Sequence, residues 1–201
     1  MPTEQRQQER RRLLLDAAFD VLGTHGLHAV TVRGMCEATR LNPRYFYESF
    51  TDLDALLVAT YDRAAETVFA LMVAAVEALP PEATTADRTF AGIDTFVRHV
   101  TADPRRARVL VVEGLGNEAL SRRRYEAMQL LASVVAQDTI GPDGSPTAIV
   151  QAASYLVVGG VNELLMAWID GHLLTPVPQL IEHVSILIDA VGSAAETHHP
   201  S

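Results

Sequence analysis

A chain of 201 residues that is 48% hydrophobic and 20% charged has enough apolar material for one or two buried cores, which excludes disorder along its whole length. No run of about eighteen uncharged apolar residues occurs, so no membrane-crossing helix is expected, and the polar, arginine-rich stretch Met1 to Arg12 predicts a cytoplasmic protein with no secretory leader. A lone cysteine, Cys36, excludes an internal disulfide framework, and the net charge of −9 weighs against nucleic acid until it is divided along the chain.

Helical periodicity dominates from the start. Leu14, Ala17, Ala18, Val21 and Leu22 recur at helical spacing and predict a helix over Arg6 to Gly23, stopped by Gly23-Thr24-His25-Gly26. Thr31 is a cap for a short helix, Thr31 to Ala38, with Val32, Met35 and Cys36 on one face. After a break at Arg40-Leu41, Asn42-Pro43 is an N-cap followed by proline at the first helical position, which starts a third helix, Pro43 to Phe50.

Thr51-Asp52 opens a long helix running to about Leu79, where Pro80-Pro81 ends it. Further helices are expected over about 86–101, 104–113 and 118–139, then over 146–170 and 177–192. Gly141-Pro142-Asp143-Gly144 and Gly171 with the turn at Pro176 to Pro178 mark breaks, and 193–201 reads as a frayed tail. The expected architecture is all-α, nine helices and no sheet.

The charge divides unevenly over this plan. Residues 1–50 hold seven arginines and six acids, whereas 51–201 hold nine arginines and nineteen acids, so the acidity belongs to the later part. Within the near-neutral first part, two short helices joined by a tight break and braced by a longer one form a helix-turn-helix unit. Leu27, Val30, Val32, Met35, Leu41, Phe46 and Phe50 are its expected core, with Leu14, Ala18 and Val21. Phe46 and Phe50 lie four apart and turn inward together, leaving Arg44, Tyr45, Tyr47 and Glu48 to the other faces.

The run LLDAAFDVLGTHGLHAVTVRGMCEATRLNPRYFYESFTDLDALL resembles the amino-terminal domain of TetR-family (TetR/AcrR) transcriptional regulators. Glycine stop, threonine cap, turn, Tyr47, Phe50 and the following Asp-x-x-x-Leu-Leu fall in that family's order. The resemblance implies a helix-turn-helix DNA-binding domain over 1–51 and a helical ligand-binding and dimerisation domain over 52–201. It implies DNA contacts from Thr31, Arg33, Arg40, Asn42, Arg44, Tyr45 and Tyr47. Thr31 matches the family's capping residue, Arg33 a base-reading position, and Tyr47 a phosphate-binding tyrosine.

Three departures stand out. Arg40 occupies the usual turn-glycine position, Leu53 replaces a common lysine, and Glu48 puts an acid on the reading helix. With fewer cations there, a modest salt dependence is expected, with Arg6, Arg10, Arg11 and Arg12 either serving as a compensating arm or forming a solvated helix start. Arg44 also has a plainer reading, an i, i+4 pair with Glu48, and the two tyrosines could be core aromatics.

A regulator of this kind implies a palindromic double-stranded operator, a homodimer and a small-molecule effector, with no cofactor. For the dimer interface the small residues Ala152, Gly159, Gly160 and Ala167 are the candidates, since they let a partner helix approach closely; packing within the chain is the alternative. Polar or large groups inside otherwise apolar helices mark ligand candidates: Tyr61, His99, Tyr125, Met128, Asn162, Glu163 and Trp168. His99 and His183 lack a metal-ligand partner at helical spacing and His198-His199 is a tail pair, so no metal site is expected.

Two other functions compete. Gly114, Gly116 and Ala119 follow a β-branched run and precede Asp138 by about the interval of a dinucleotide-binding fingerprint, but Glu113 stands where an apolar strand end is needed and no further strands follow. No catalytic residues are assigned, and the chain is expected not to be an enzyme. The second competitor keeps the fold as a small-molecule-binding dimer without specific DNA binding; Arg33 and Tyr47 speak against it.

Overall fold

The computed structural model describes residues 3–113, 116–140 and 144–197, and every regular element among them is helical. The helices are α1 (Thr3–His25), α2 (Val32–Thr39), α3 (Pro43–Ser49), α4 (Leu53–Glu77), α5 (Thr85–Thr101), α6 (Pro104–Ala107), α7 (Glu118–Ile140), α8 (Ala148–Ile169) and α9 (Val177–Thr197). A 3-10 turn, Leu27–Ala29, lies between α1 and α2, and α6 widens into a π-helical segment, Arg108–Val112. Among the described residues the expected fold, all-α with nine helices, is what forms.

Two expected ends move. Helix α1 does not stop at Gly23 but continues to His25, and the glycine that ends it is Gly26, with φ 81. That left-handed conformation is open to glycine at no steric cost. Helix α9 runs through the segment expected to fray, as far as Thr197, because Ala195 is buried and extends the packed face by another turn.

Packing gathers the chain into two units: residues 1–67 with 102–124, and 68–101 with 125–201. This partition follows the proximity of backbone segments, a different criterion from the functional division expected at residues 51 and 52. In the first unit the core holds Leu14, Leu15, Ala18, Leu22, Val30, Met35, Cys36, Phe46, Phe50, Leu56 and Leu57. Val109, from the π-helical segment, completes it. Leu27, Val32, Leu41 and Leu53 pack against its edge, half-buried.

The second unit is built on α5, α8 and α9 with parts of α4 and α7. Val97, Val100, Val150, Val161, Leu165, Leu180, Ile181 and Val184 are buried there. Thr84 and Asp87 form a reciprocal cap at the start of α5: the Thr84 amide and hydroxyl donate to the Asp87 carboxylate, and the Asp87 amide donates to the Thr84 hydroxyl. The Trp168 indole N–H donates to the Thr175 carbonyl at 2.7 Å and ties the end of α8 to the turn before α9.

Helix α8 corrects one expectation. Its 22 residues are long and apolar enough, by length and composition, to cross a membrane, because Gln151, Asn162 and Glu163 are diluted among Leu, Val and Ala. Only 22% of its most apolar stretch is buried within the chain.

Candidate nucleic-acid interface

Local chemistry shapes the pair of short helices. The Thr31 hydroxyl accepts the Gly34 amide at 3.0 Å and caps α2. The other end of α2 is closed by Arg40 in the left-handed region, φ 55 and ψ 32, while the Leu41 amide reaches back to the Cys36 carbonyl at 3.0 Å. That is the Schellman closure, and Leu41 supplies its half-buried apolar partner. Arg40 is the one non-glycine residue with positive φ among the described residues. The Asn42 side chain then accepts the Arg44 amide at 3.0 Å, with Pro43 in the first turn of α3.

Phe46 and Phe50 point inward and are buried. Burial also pushes the Cys36 thiol above its ordinary value, so it packs as a neutral group. The outward surface of α2 and α3 then carries Arg33, Arg40, Asn42, Arg44, Tyr45 and Tyr47, all exposed. Tyr47 is 59% exposed, too open for a core aromatic. Arg33, with 89% of its side chain exposed, pairs with Glu37 at 2.8 Å, and Arg44 pairs with Glu48 at 3.0 Å. Such exposed i, i+4 pairs are worth a few tenths of a kcal/mol and exchange readily for a phosphate.

Residues 6–12 do not form a free arm. They lie on α1, and two of the arginines grip α3. The Arg10 guanidinium stacks 4.2 Å from the Tyr45 ring centre and lies 3.5 Å from Glu48. Arg11 stacks 4.2 Å from the Phe50 ring centre and donates to the Ser49 carbonyl at 2.8 Å. Arg12 faces back onto Glu9 and Asp16. Glu48 is therefore held between Arg10 and Arg44, which offsets the charge it would present to phosphate.

A second set of contacts, not foreseen from the sequence, brings residues 102–124 onto α1 and the following turn. Arg105 pairs with Asp20 at 2.7 Å and with Asp103 at 2.9 Å. The Arg105 guanidinium holds the Asp103 carboxyl below its ordinary value. Gly23 faces the same residue so closely that a Cβ built on it would lie 2.5 Å from the Arg105 Cβ. Glycine at 23 thus serves close approach, not helix termination. Asn117 donates to Asp54, and Arg63 pairs with Asp16 at 2.7 Å.

The ligand candidates have varied surroundings. Tyr61 is buried in the first unit, where burial pushes its phenol up; the other six belong to the second. Tyr125 and Glu163 are exposed, while His99, Met128 and Asn162 are half-buried. Trp168 is half-buried and committed to its bond with Thr175. Two surface grooves, of about 250 and 520 Å³, meet at Asp87 and Phe90 and are lined by none of the seven. Among the interface candidates, Ala152 is exposed, and a Cβ on Gly159 or Gly160 would meet nothing within 4 Å, so packing within the chain does not require either glycine.

Among the described residues no group of three or more His, Cys, Asp or Glu could hold a metal ion. His198 and His199 lie outside the described residues, as do Gly114 of the nucleotide-like pattern and the side chain of Asp138. The strand that pattern requires is absent where it is needed, since Arg108–Val112 is helical.

Residues 14–60 match the family model described as bacterial regulatory proteins, tetR family. Among curated proteins, none matches the sequence. Of the solved structures, a transcriptional regulator from Pseudomonas aeruginosa is similar at TM-score 0.72 and 18% identity, over 96% of this chain and 95% of that one. A TetR-family transcriptional regulator from Streptomyces coelicolor is similar at 0.73 and 18%, over 93% and 90%. The regulator FadR from Bacillus subtilis, in complex with stearoyl-CoA, is similar at 0.70 and 16%, over 88% and 96%. At these identities the likeness bears on the fold.

Proposed function

We propose, from an amino-terminal domain that belongs to the tetR family of bacterial regulatory proteins and a chain that has that family's fold, that this protein is an effector-controlled transcriptional regulator and not an enzyme. A homodimer working in the cytoplasm binds a palindromic operator and represses the adjoining gene. The observation that carries this reading is the exposure of Arg33, Arg44, Tyr45 and Tyr47 on two capped helices whose other faces form a closed core. Such a unit lays its second helix in the major groove.

On the operator, Arg33 exchanges Glu37 for a guanine edge, and Arg44 exchanges Glu48 for phosphate. The Tyr47 hydroxyl and Arg40 hold further phosphates. The effector binds the carboxy-terminal domain; the fold shared with a regulator that holds stearoyl-CoA supports an apolar effector. Helices α4 and α7 each run from one unit into the other and carry the coupling. It is allosteric in the strict sense if effector and operator affinities change reciprocally.

Titration against the intergenic DNA upstream of its own gene and against scrambled DNA, at two salt concentrations, tests the reading. Preference for the intergenic DNA is the expected result. Tyr47→Phe weakens binding about evenly over sequences, and Arg33→Ala costs about 1–3 kcal/mol and relaxes preference at one base pair. Equal, weak binding to both DNAs, persisting in a genome-wide pull-down, would overturn it.

A further inference from the structure

We infer that Glu113 is a positioning residue for operator binding: it caps, from 86 residues away, the 3-10 turn that delivers the chain into the helix-turn-helix unit. The inference rests on the regulator reading above and adds how that binding site is held and released.

The turn Leu27–Ala29 has no cap of its own. Gly26, which precedes it, offers no side-chain acceptor, and its positive φ aims the chain away from α1. The Leu27 amide is instead accepted by the Glu113 carboxylate at 3.0 Å. From Leu27 the bonds run on without a gap. The Val30 amide donates to the Leu27 carbonyl, Val30 is buried in the core, and Thr31 next caps α2, which carries Arg33. Release of Leu27 therefore loosens the entry to α2 first.

Glu113 is itself fixed twice by one residue. Its other carboxylate oxygen accepts from Arg108 Nε at 2.9 Å, and its own amide donates to the Arg108 carbonyl at 2.8 Å. That backbone bond spans five residues and is the last of the π-helical segment Arg108–Val112. The Glu113 side chain is 12% exposed, and Arg108 also reaches the Thr24 carbonyl at 3.4 Å. Space is matched as well, since a Cβ on Gly26 would lie 3.0 Å from the carboxylate.

The widened segment is what makes the cap releasable. In an ordinary α-helix each residue advances by about 100°. A change of one residue in register across 108–112 would swing Glu113 away from Leu27 by that angle and empty the cap. π-Helical turns of this kind are poorly favoured except where surroundings hold them, and Val109 in the core with Arg108 on Glu113 supplies that hold. With the segment in this register Leu27 is capped and the reading helices are set; a shift in the segment uncaps it.

The test uses the full chain. Hydrogen exchange at the assigned Leu27 amide is measured for wild type, Glu113→Ala and Glu113→Gln, beside operator affinity and helical content. Glu113→Ala is expected to speed Leu27 exchange and weaken operator binding about fivefold, the scale of a lost helix cap, with helical content unchanged. Glu113→Gln keeps an acceptor oxygen and restores most of both. Tyr47→Phe weakens operator binding but leaves Leu27 exchange alone. Wild-type exchange in Glu113→Ala would overturn the cap, and operator binding as weak in Glu113→Gln as in Glu113→Ala would overturn the positioning role. A wild type indifferent to DNA sequence would sink the regulator reading and the operator half of this proposal together, while Leu27 exchange would still decide the cap.

Discussion

In the first unit, residues far apart in sequence meet through polar contacts: Asp16 with Arg63, Asp20 with Arg105, Asp54 with Asn117 and Asp62 with Arg123 through their side chains, and the Leu27 amide with the Glu113 carboxylate. In the second unit, Asp94 pairs with Arg98 one turn along α5 and the Trp168 indole reaches the Thr175 carbonyl seven residues on. Large apolar side chains stand in solvent there, including Tyr155 and Leu156 on α8 and Ile186 and Leu187 on α9. Exposed ion pairs add little stability, a median near 0–1 kcal/mol, but they fix where elements sit. The first unit thus spends its charges on placement, as a reading surface requires. The second leaves apolar area uncovered, as a surface awaiting a second copy would.

The sharpest way to separate the units is Phe46→Ala. It empties the centre of the first core and should cost about 3–5 kcal/mol, abolishing operator binding. Hydrogen exchange should rise in α2 and α3 and stay near wild type in α8; loss of protection in both would erase the distinction.

Gly160→Leu probes the other side. Because nothing among the described residues, beyond its neighbours and the adjacent turns of α8's own backbone, lies within 4 Å of its Cβ position, the folded protomer should tolerate it. A helix–helix interface would not, and sedimentation should show dimer dissociation raised about tenfold to a hundredfold. An unchanged dimer would move the interface away from this part of α8.

Arg40→Gly opposes stability and function within the first unit. It removes a left-handed non-glycine residue and should raise stability by about 1 kcal/mol in urea unfolding. It also removes a cation, so operator affinity should fall and the salt slope should shrink by about one. Gains in both would deny Arg40 any phosphate contact.

The smallest effect is acid sensitivity. Asp103, hydrogen-bonded by Arg105, and Asp87, hydrogen-bonded by Thr84, both titrate below their ordinary value. A carboxylate depressed in the folded state contributes stability above its unfolded value, near pH 4, and loses it as pH falls through the folded value. Urea midpoints should therefore hold steady from neutral pH down to about pH 4 and drop below it, with a shallower drop in Asp103→Asn.

What sequence alone revealed was local. Thr31, Asn42 and Pro43 mark helix ends through groups one to three residues away, and Phe46 with Phe50 declare their buried face by spacing. The Arg44–Glu48 pair was legible by the same rule. What stayed hidden depends on chain brought from far off. Gly23 looked like a helix stop because nothing nearby shows Arg105 pressing on it, and Val109 gives no sign in its own neighbourhood of joining the helix-turn-helix core. The π-helical segment has no residue signature, since it is imposed by what holds it.

The grip of Arg10 and Arg11 on α3 has a consequence for reuse of the motif. A graft of residues 42–50 onto another scaffold would carry Glu48 without the guanidinium that offsets it and Tyr45 without the stack that orients it. The graft would keep its apolar face and lose its aim. A portable reading head must therefore include at least the span from Gln7, whose side chain donates to the Glu48 carbonyl, to Phe50, under the Arg11 guanidinium, and must be set on a host that supplies the equivalents of Val109 in the core and Glu113 on Leu27. Specificity swaps between such proteins should exchange that whole block.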